Sequence, residues 1–163
     1  MNIAVKTFEK LLNTQKEFDS RVVLENEKST RVAYLVEFIE WINTREFFKD
    51  WKQNKGKSQE KQLDELADLL AFGLSIGLQE GVTTDNLVNL QNDYQKPNKY
   101  INTDNVLFII SELSSDLANK EFDEYYLVML PLMLAEDFYT VDQLVNAYYK
   151  KMQVNHNRQN NNY

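Results

Sequence analysis

The chain has 163 residues, of which 43% are hydrophobic and 26% are charged, a composition typical of one globular domain. It contains no cysteine, which excludes disulfides and thiolate chemistry, and its formal net charge of -7 argues against duplex nucleic acid as a partner. The longest apolar run, 125–135, is too short to span a bilayer, and the N-terminal residues lack the apolar core of a signal peptide, so we expect no membrane contact and a cytoplasmic location.

The first half of the chain is expected to be helical, because few glycines and prolines interrupt it and no segment alternates polar and apolar residues. Ser58 is a natural N-cap for a helix that runs toward Gly81. The expected elements are helices over 5–20, from 29 or 30 to about 51, and from 58 toward 81, with a lysine-rich connector over 52–57. The two longer helices are joined by a short loop, which favours an antiparallel helix hairpin.

The second half of the chain is also expected to be helical. Thr140 and Gln143 resemble a capping box at the start of the last helix. The expected elements are a loop over 92–102, helices over about 104–118 and 121–138, the latter kinked or interrupted at Pro131, and a last helix from 140 toward 157. We therefore predict one all-α domain over 1–158 with a polar C-terminal tail over 159–163, and the apolar run 125–135 could also supply a subunit interface.

Two pairs of carboxylates lie within these helical patterns. Glu37 and Glu40 share one face of the second helix, and Glu65 and Asp68 share one face of the third, because residues three apart are neighbours on a helix. Four acids facing each other across a helix hairpin would form a metal site, and Mg²⁺ is a hard cation that carboxylate oxygens bind. The sequence therefore predicts a helical bundle with a four-carboxylate metal site between two antiparallel helices.

Apolar neighbours suggest that both acid pairs border buried faces, where unpaired carboxylates would be costly. These neighbours are Val32, Leu35, Val36 and Ile39 around the first pair and Leu63, Leu66, Leu69 and Leu70 around the second. An isolated pair of acids three residues apart is more often a solvated helix face. The apolar flanks and the second pair favour the metal site.

Further motifs occur in a fixed order around the acid pairs. They are Gln15 within 14–19, Phe48-Lys49-Asp50-Trp51, Leu74-Ser75-Ile76-Gly77, and a C-terminal pattern of Lys151, Asn155, Arg158-Gln159 and Tyr163. Together with the acids, this order resembles the dimeric dUTPases, within the superfamily of all-α nucleoside triphosphate pyrophosphatases that includes MazG-type enzymes. The resemblance covers 15–81 and 141–163, whereas 82–140 matches only as helices.

The resemblance implies a homodimeric enzyme that hydrolyses a deoxyuridine nucleotide, converting dUTP to dUMP and pyrophosphate with Mg²⁺, and also dUDP to dUMP. Glu37, Glu40, Glu65 and Asp68 would hold the metal, and Glu40 or Glu37 would orient or deprotonate the attacking water. The remaining candidate residues would bind substrate. They are Lys49, Lys151 and Arg158 for phosphate, Gln15, Asp19 and Asn155 for the base or sugar, Trp51 beside the nucleotide, and Tyr163 over the phosphates.

Three positions depart from the family pattern. Asp19 stands where an asparagine is expected, Ala71 where many relatives have histidine, and Asn162 where a glycine is expected. A carboxylate accepts hydrogen bonds but cannot donate them at neutral pH, so Asp19 leaves the base preference open. The alternatives are a pyrophosphatase of broader nucleotide specificity and a non-catalytic helical interaction protein on the same scaffold.

Overall fold

The computed structural model describes residues 2–22, 26–93, 101–121 and 123–160. This part of the chain forms seven α-helices and no strand, which confirms the all-α fold class. The helices are α1 (Val5–Asp19), α2 (Glu27–Arg45), α3 (Gln59–Gln79), α4 (Thr84–Asp93), α5 (Val106–Asn119), α6 (Glu124–Phe138) and α7 (Val141–Asn160). None of these described helices is both long enough and apolar enough to cross a membrane.

Side-chain caps define several helix starts. Ser58 accepts a hydrogen bond from the Lys61 amide, as its position in the sequence predicts, and Asn26 caps α2 slightly earlier than expected. At α7, the amide of Thr140 donates to the Gln143 side chain while the amide of Gln143 donates to the Thr140 hydroxyl. The predicted capping box is therefore present.

Helix α3 is the centre of the molecule and packs against α1, α2, α6 and α7. Its leucines are buried as predicted, and Glu65 lies among them. Helices α2 and α3 run antiparallel, because Arg45 contacts Gln62 at one end of the pair while Tyr34 lies beside Gly73 at the other. The predicted hairpin is thus the framework on which the acid pairs are placed.

Helices α3 and α6 approach each other very closely at Gly73. A Cβ atom on this residue would lie 2.5 Å from the backbone oxygen of Leu127, and the same oxygen accepts a hydrogen bond from the Tyr34 hydroxyl. Pro131 lies within α6, which continues through it to Phe138. Residues 127–135 are buried inside the domain, so the prediction that this run supplies a subunit interface is wrong.

The buried face of α2 differs from the expected one. Val32, Val36 and Ile39 are 61%, 44% and 43% exposed. The helix carries two apolar stripes, and the one that faces the core contains the larger side chains Tyr34, Phe38, Trp41 and Ile42. Burying the aromatic stripe removes more apolar surface from water, which explains why the smaller residues are left outside.

Several element boundaries also differ from the expected ones. Helix α2 ends at Arg45 rather than near Trp51, because Glu46 adopts a left-handed conformation with φ 54°. Helix α4 was not predicted, and it ends at Asp93 inside the expected loop over 92–102, of which 94–100 lies outside the described residues. Helix α7 extends to Asn160, which is two residues into the expected tail.

Candidate active site

Three carboxylates meet between α2 and α3. Glu37, Glu65 and Asp68 each offer an oxygen, and these oxygens lie within 4.8 Å of one another. Glu65 is buried, while Glu37 and Asp68 are half-buried. Glu40 is exposed on α2 and does not belong to this group of three, which we call the acid cluster. The hairpin therefore brings three of the four predicted ligands together.

The acid cluster carries like charges at close range in a partly desolvated place. Burial raises the pKa of Glu37 to about 7, with further increases from the charges of Asp68, Glu40 and Glu65. Burial likewise raises the pKa of Asp68 to about 6, against the opposing effect of Lys151. A cation would relieve both effects, and oxygen ligands of this kind fit a hard divalent ion such as Mg²⁺.

Lysine side chains compensate part of this charge. Lys151 on α7 lies 2.5 Å from Asp68 Oδ2 and 3.0 Å from Asp64 Oδ2, and Lys61 lies 2.7 Å from Glu65 Oε1. Burial lowers the pKa of Lys151, but its contacts with the two aspartates outweigh this and leave the pKa raised. Lys151 thus joins α7 to the acid cluster. Its partner Asp64 was not predicted as part of the site.

A cavity of about 260 Å³ opens beside the acid cluster and shares Asp68 with it. Four of the predicted substrate-binding residues contribute to its lining: Gln15, Asp19, Asn155 and Arg158. Phe18, Phe72 and Met152 supply apolar walls, and Ala71 also borders the cavity. Residues from α1, α3 and α7 therefore meet around one space next to the acids.

A larger groove of about 710 Å³ lies between the start of α3 and α7. Its lining includes Ser58, Lys61 and Lys150, and none of the described residues predicted to bind substrate. Among the described residues, the groove is linked to the acid cluster through Lys61, which contacts Glu65, and through Asp64, which contacts Lys151. The smaller cavity is the better candidate for a ligand that must reach the acids.

Hydrogen bonds organise the polar wall of the smaller cavity. The amide nitrogen of Gln15 donates to Asp19 Oδ1 over 2.7 Å, and the hydroxyl of Tyr148 donates to Gln15 Oε1 over 3.0 Å. Burial raises the pKa of Asp19, while hydrogen bonds from Gln15 and Ser75 oppose the increase. Tyr148 is fully buried, and sequence reasoning did not identify it because an apolar helix position gives no sign of a distant polar partner.

The loop between α2 and α3 carries Lys49 and Trp51. Lys49 Nζ lies 2.8 Å from Asn43 Oδ1 and 3.1 Å from Glu46 Oε1, and Trp51 is 77% exposed. The structure therefore places both residues outside the lining of the smaller cavity. Tyr163, predicted to close over the phosphates, lies outside the described residues.

Glu46 holds this loop in place. Its side chain is 2% exposed and accepts hydrogen bonds from Lys52 Nζ at 2.6 and 2.8 Å, from Lys49, and from the amide of Gly56 at 3.0 Å. These bonds, that of Lys52 first, lower the pKa of Glu46 to about 2 although burial opposes the decrease. The residue was not predicted, since in sequence it looks like an ordinary acid within the expected second helix.

The chain is similar to a known protein family. A family model described as dUTPase matches residues 7–163 of the chain. No curated protein matches it. The matched range contains all seven described helices except the first two residues of α1, together with the acid cluster and the smaller cavity.

Proposed function

This chain belongs to the dUTPase family and is a hydrolase that cleaves dUTP, and we propose that it forms dUMP and pyrophosphate in a Mg²⁺-dependent reaction. By the same chemistry it would convert dUDP to dUMP and phosphate. Water attacks the α-phosphorus, the bond between that phosphorus and the bridging oxygen breaks, and pyrophosphate leaves. The cavity that shares Asp68 with the acid cluster is the observation that carries this proposal.

We infer that Glu37, Glu65 and Asp68 hold the metal and that Glu40 contributes from the exposed side. When bound, Mg²⁺ would neutralise charge on the phosphate oxygens and favour ionisation of water. Glu40 lies close enough for its charge to raise the pKa of Glu37, and it is open to solvent. This position supports a role for Glu40 in orienting or deprotonating the attacking water, with Glu37 as the second candidate.

The nucleotide would lie with its base in the smaller cavity and its phosphates at the acid cluster. Gln15 and Asp19 offer a donor and an acceptor at the polar wall, which suits the edge of uracil. Asn155 would contact the sugar or base. Lys151 and Arg158 on α7 supply positive charge on the side of the acids. Lys49 and Trp51 remain predictions, because contact with a nucleotide requires their loop to approach it. The role of Tyr163, which lies outside the described residues, also remains a prediction.

Broader nucleotide specificity is the second candidate. Asp19 supports it, because a carboxylate at the polar wall accepts from the amino group of cytosine as well as from the N3–H of uracil. A non-catalytic role on the same scaffold is disfavoured by membership of a family of hydrolases.

We further propose that the protein is a homodimer. The exposed apolar residues of α2 lie on one face of that helix, and Leu107 and Phe108 on α5 are 78% and 67% exposed. A second copy covering such residues would remove them from water. Glu40 lies on the same face of α2 as Val36, so a partner subunit there would border the acid cluster. A cytoplasmic location also remains a prediction.

The proposed function is tested by measuring release of pyrophosphate from dUTP, dCTP, dTTP, dATP and UTP, and of phosphate from dUDP, with Mg²⁺ and with EDTA. Metal-dependent release confined to the deoxyuridine nucleotides is expected. Release from many nucleotides would favour the broader pyrophosphatase, and release that persists in EDTA would refute the metal assignment.

Glu65→Gln tests whether Glu65 is a metal ligand or an ordinary surface acid. We expect this variant to lose turnover by at least about a hundredfold while remaining folded, because a neutral amide cannot replace a carboxylate ligand. Glu60→Gln, on the same helix and exposed, serves as the matched control and should retain activity. Full activity of Glu65→Gln would exclude this residue from the site.

A further inference from the structure

We propose that Tyr148 is a positioning residue for base recognition, which holds Gln15 through its hydroxyl so that Gln15 and Asp19 present a fixed donor and acceptor to the base. The inference rests on the proposed placement of the base in the smaller cavity. Tyr148 belongs to α7 and Gln15 to α1, and the two residues are 133 positions apart in sequence. Their contact connects two of the helices that line the cavity.

Tyr148, Gln15 and Asp19 are connected by two hydrogen bonds that run in one direction, and we call this connected set the relay. A carboxylate can only accept, so the amide nitrogen of Gln15 must face Asp19, at 2.7 Å. The carbonyl oxygen of Gln15 then faces Tyr148, whose hydroxyl donates to it at 3.0 Å. Gln15 is 3% exposed and Tyr148 is fully buried, so water is largely kept from replacing either contact. The relay therefore determines which way the amide points.

Beyond the relay and the hydrogen bond from Ser75 to Asp19, Gln15 has a second N–H and the carboxylate of Asp19 has further acceptor positions for a ligand. Uracil presents an N3–H donor between two carbonyl acceptors, so an adjacent donor and acceptor are complementary to its edge. Cytosine presents a similar pair, but displaced along the ring, because its donor is the exocyclic amino group. Discrimination between the two bases thus depends on the position of the Gln15 amide, and this position depends on Tyr148.

Removing the hydroxyl of Tyr148 would leave the buried carbonyl of Gln15 without its partner. The side chain would then be held only through Asp19, and it could rotate or admit water. An unsatisfied buried acceptor of this kind corresponds to a weakening of about 5- to 100-fold if the ligand needs the original orientation. The phosphates are bound at the other end of the substrate, so the chemical step is left unchanged.

Tyr149 offers a matched control on the same helix. Its hydroxyl is buried and has no hydrogen-bond partner among the described residues. Its ring lies 4.1 Å from Lys10 Nζ, a contact that phenylalanine preserves. Tyr148→Phe and Tyr149→Phe therefore make the same chemical change, and only the first breaks the relay.

The test is a comparison of steady-state kinetics with dUTP and dCTP for the wild type, Tyr148→Phe and Tyr149→Phe. For Tyr148→Phe we expect KM for dUTP to rise by about tenfold with kcat within twofold of wild type, and the preference for dUTP over dCTP to fall. Tyr149→Phe should match the wild type in all three quantities. A kcat loss at unchanged KM, or equal behaviour of the two variants, would overturn the inference.

A binding measurement makes the test independent of turnover and of stability. Calorimetric titration with dUMP, at a temperature where thermal melting shows each variant to be folded, should show weaker binding for Tyr148→Phe than for Tyr149→Phe. Gln15→Met removes the amide itself, so adding Tyr148→Phe to it should cause no further loss, whereas independent losses that multiply would overturn the relay. If the wild type and Tyr149→Phe fail to cleave dUTP, the proposed function fails instead.

Discussion

At Glu37, burial and neighbouring carboxylates act in the same direction. The side chain is half-buried, and the charges of Asp68, Glu40 and Glu65 all disfavour its ionised form. The folded protein therefore binds a proton at this position more tightly than the unfolded chain does. The same arrangement would favour a bound cation, so we expect protons and a metal ion to compete for the acid cluster.

This competition predicts an unusual pH dependence for the metal-free protein. A carboxyl group with a raised folded pKa reduces stability as the pH rises from its unfolded pKa to its folded pKa, here from 4.5 to about 7 for Glu37. In EDTA, the melting temperature should therefore fall between these pH values. The stabilisation by Mg²⁺ should grow over the same range, because fewer protons compete.

Thermal melting with EDTA and with Mg²⁺ across this pH range checks the prediction. Glu37→Gln should remove much of the slope in EDTA, while Glu9→Gln, an exposed acid on α1, should leave it unchanged. A melting temperature in EDTA that rises with pH, in the wild type, would contradict the assignment.

Glu46 gives a second prediction at the residue scale. Glu46→Gln removes the charge that Lys49 and Lys52 contact, so the loop between α2 and α3 should open more often. We expect trypsin to cleave within 47–57 about tenfold faster, because the loop loses the charged hydrogen bonds that hold it. Asp50→Asn is the control, because Asp50 pairs with Lys55 while 83% exposed. Equal cleavage of the two variants would show that Glu46 does not hold the loop.

At the scale of elements, the contact between α3 and α6 leaves no room for a side chain at Gly73. Gly73→Ala should destabilise the protein by about 1–3 kcal/mol in urea denaturation, because the added Cβ meets the backbone oxygen of Leu127 at 2.5 Å. Helix propensity alone predicts the opposite, a gain of up to about 1 kcal/mol. A lower free energy of unfolding would thus identify steric crowding as the dominant effect, and a higher one would identify helix propensity.

Gly77→Ala provides a graded comparison on the same helix. The closest atom to its added Cβ is a side-chain methyl of Val128, at 2.9 Å. A side chain can shift more readily than a backbone carbonyl, so the cost should be smaller than at Gly73. A larger loss at Gly77 would mean that backbone crowding is not the main determinant.

Features that depend only on residue spacing within a single helix could be predicted from sequence. The Ser58 cap, the capping box at Thr140 and the buried leucines of α3 depend on local spacing. The inward face of α2 could not be predicted, because two apolar stripes compete and tertiary packing selects the aromatic one. The end of α2 depends on Glu46, whose contact with Gly56 exists only in the folded loop.

Part of the candidate site could likewise be predicted from sequence, and part of it could not. The acid pairs follow from residues three apart on each of two helices, and an antiparallel hairpin is sufficient to bring three of the four acids together. The roles of Asp64 and Tyr148 depend on how α7 docks against α3 and α1. Sequence spacing holds no information about that docking, so neither residue was identified.

At the scale of the whole molecule, the exposed apolar face of α2 predicts self-association. Val36→Glu should shift the protein from dimer to monomer, because it introduces a charge into a surface that the partner would cover. Val154→Glu on α7 is the matched control, since Val154 is 46% exposed and Val36 is 44% exposed. Light scattering coupled to size-exclusion chromatography measures the masses, and a monomeric wild type would refute the dimer.

The ion pair between Lys151 and Asp68 has a consequence for the order in which the protein is synthesised. Helices α2 and α3 leave the ribosome well before α7, so the acids and Lys61 are present in a nascent chain while Lys151, the partner of Asp68, is still missing. Asn155 and Tyr148 arrive on the same helix as this lysine. The lysine that pairs with Asp68 and the residues proposed to select the base are therefore added to the domain together, when α7 docks.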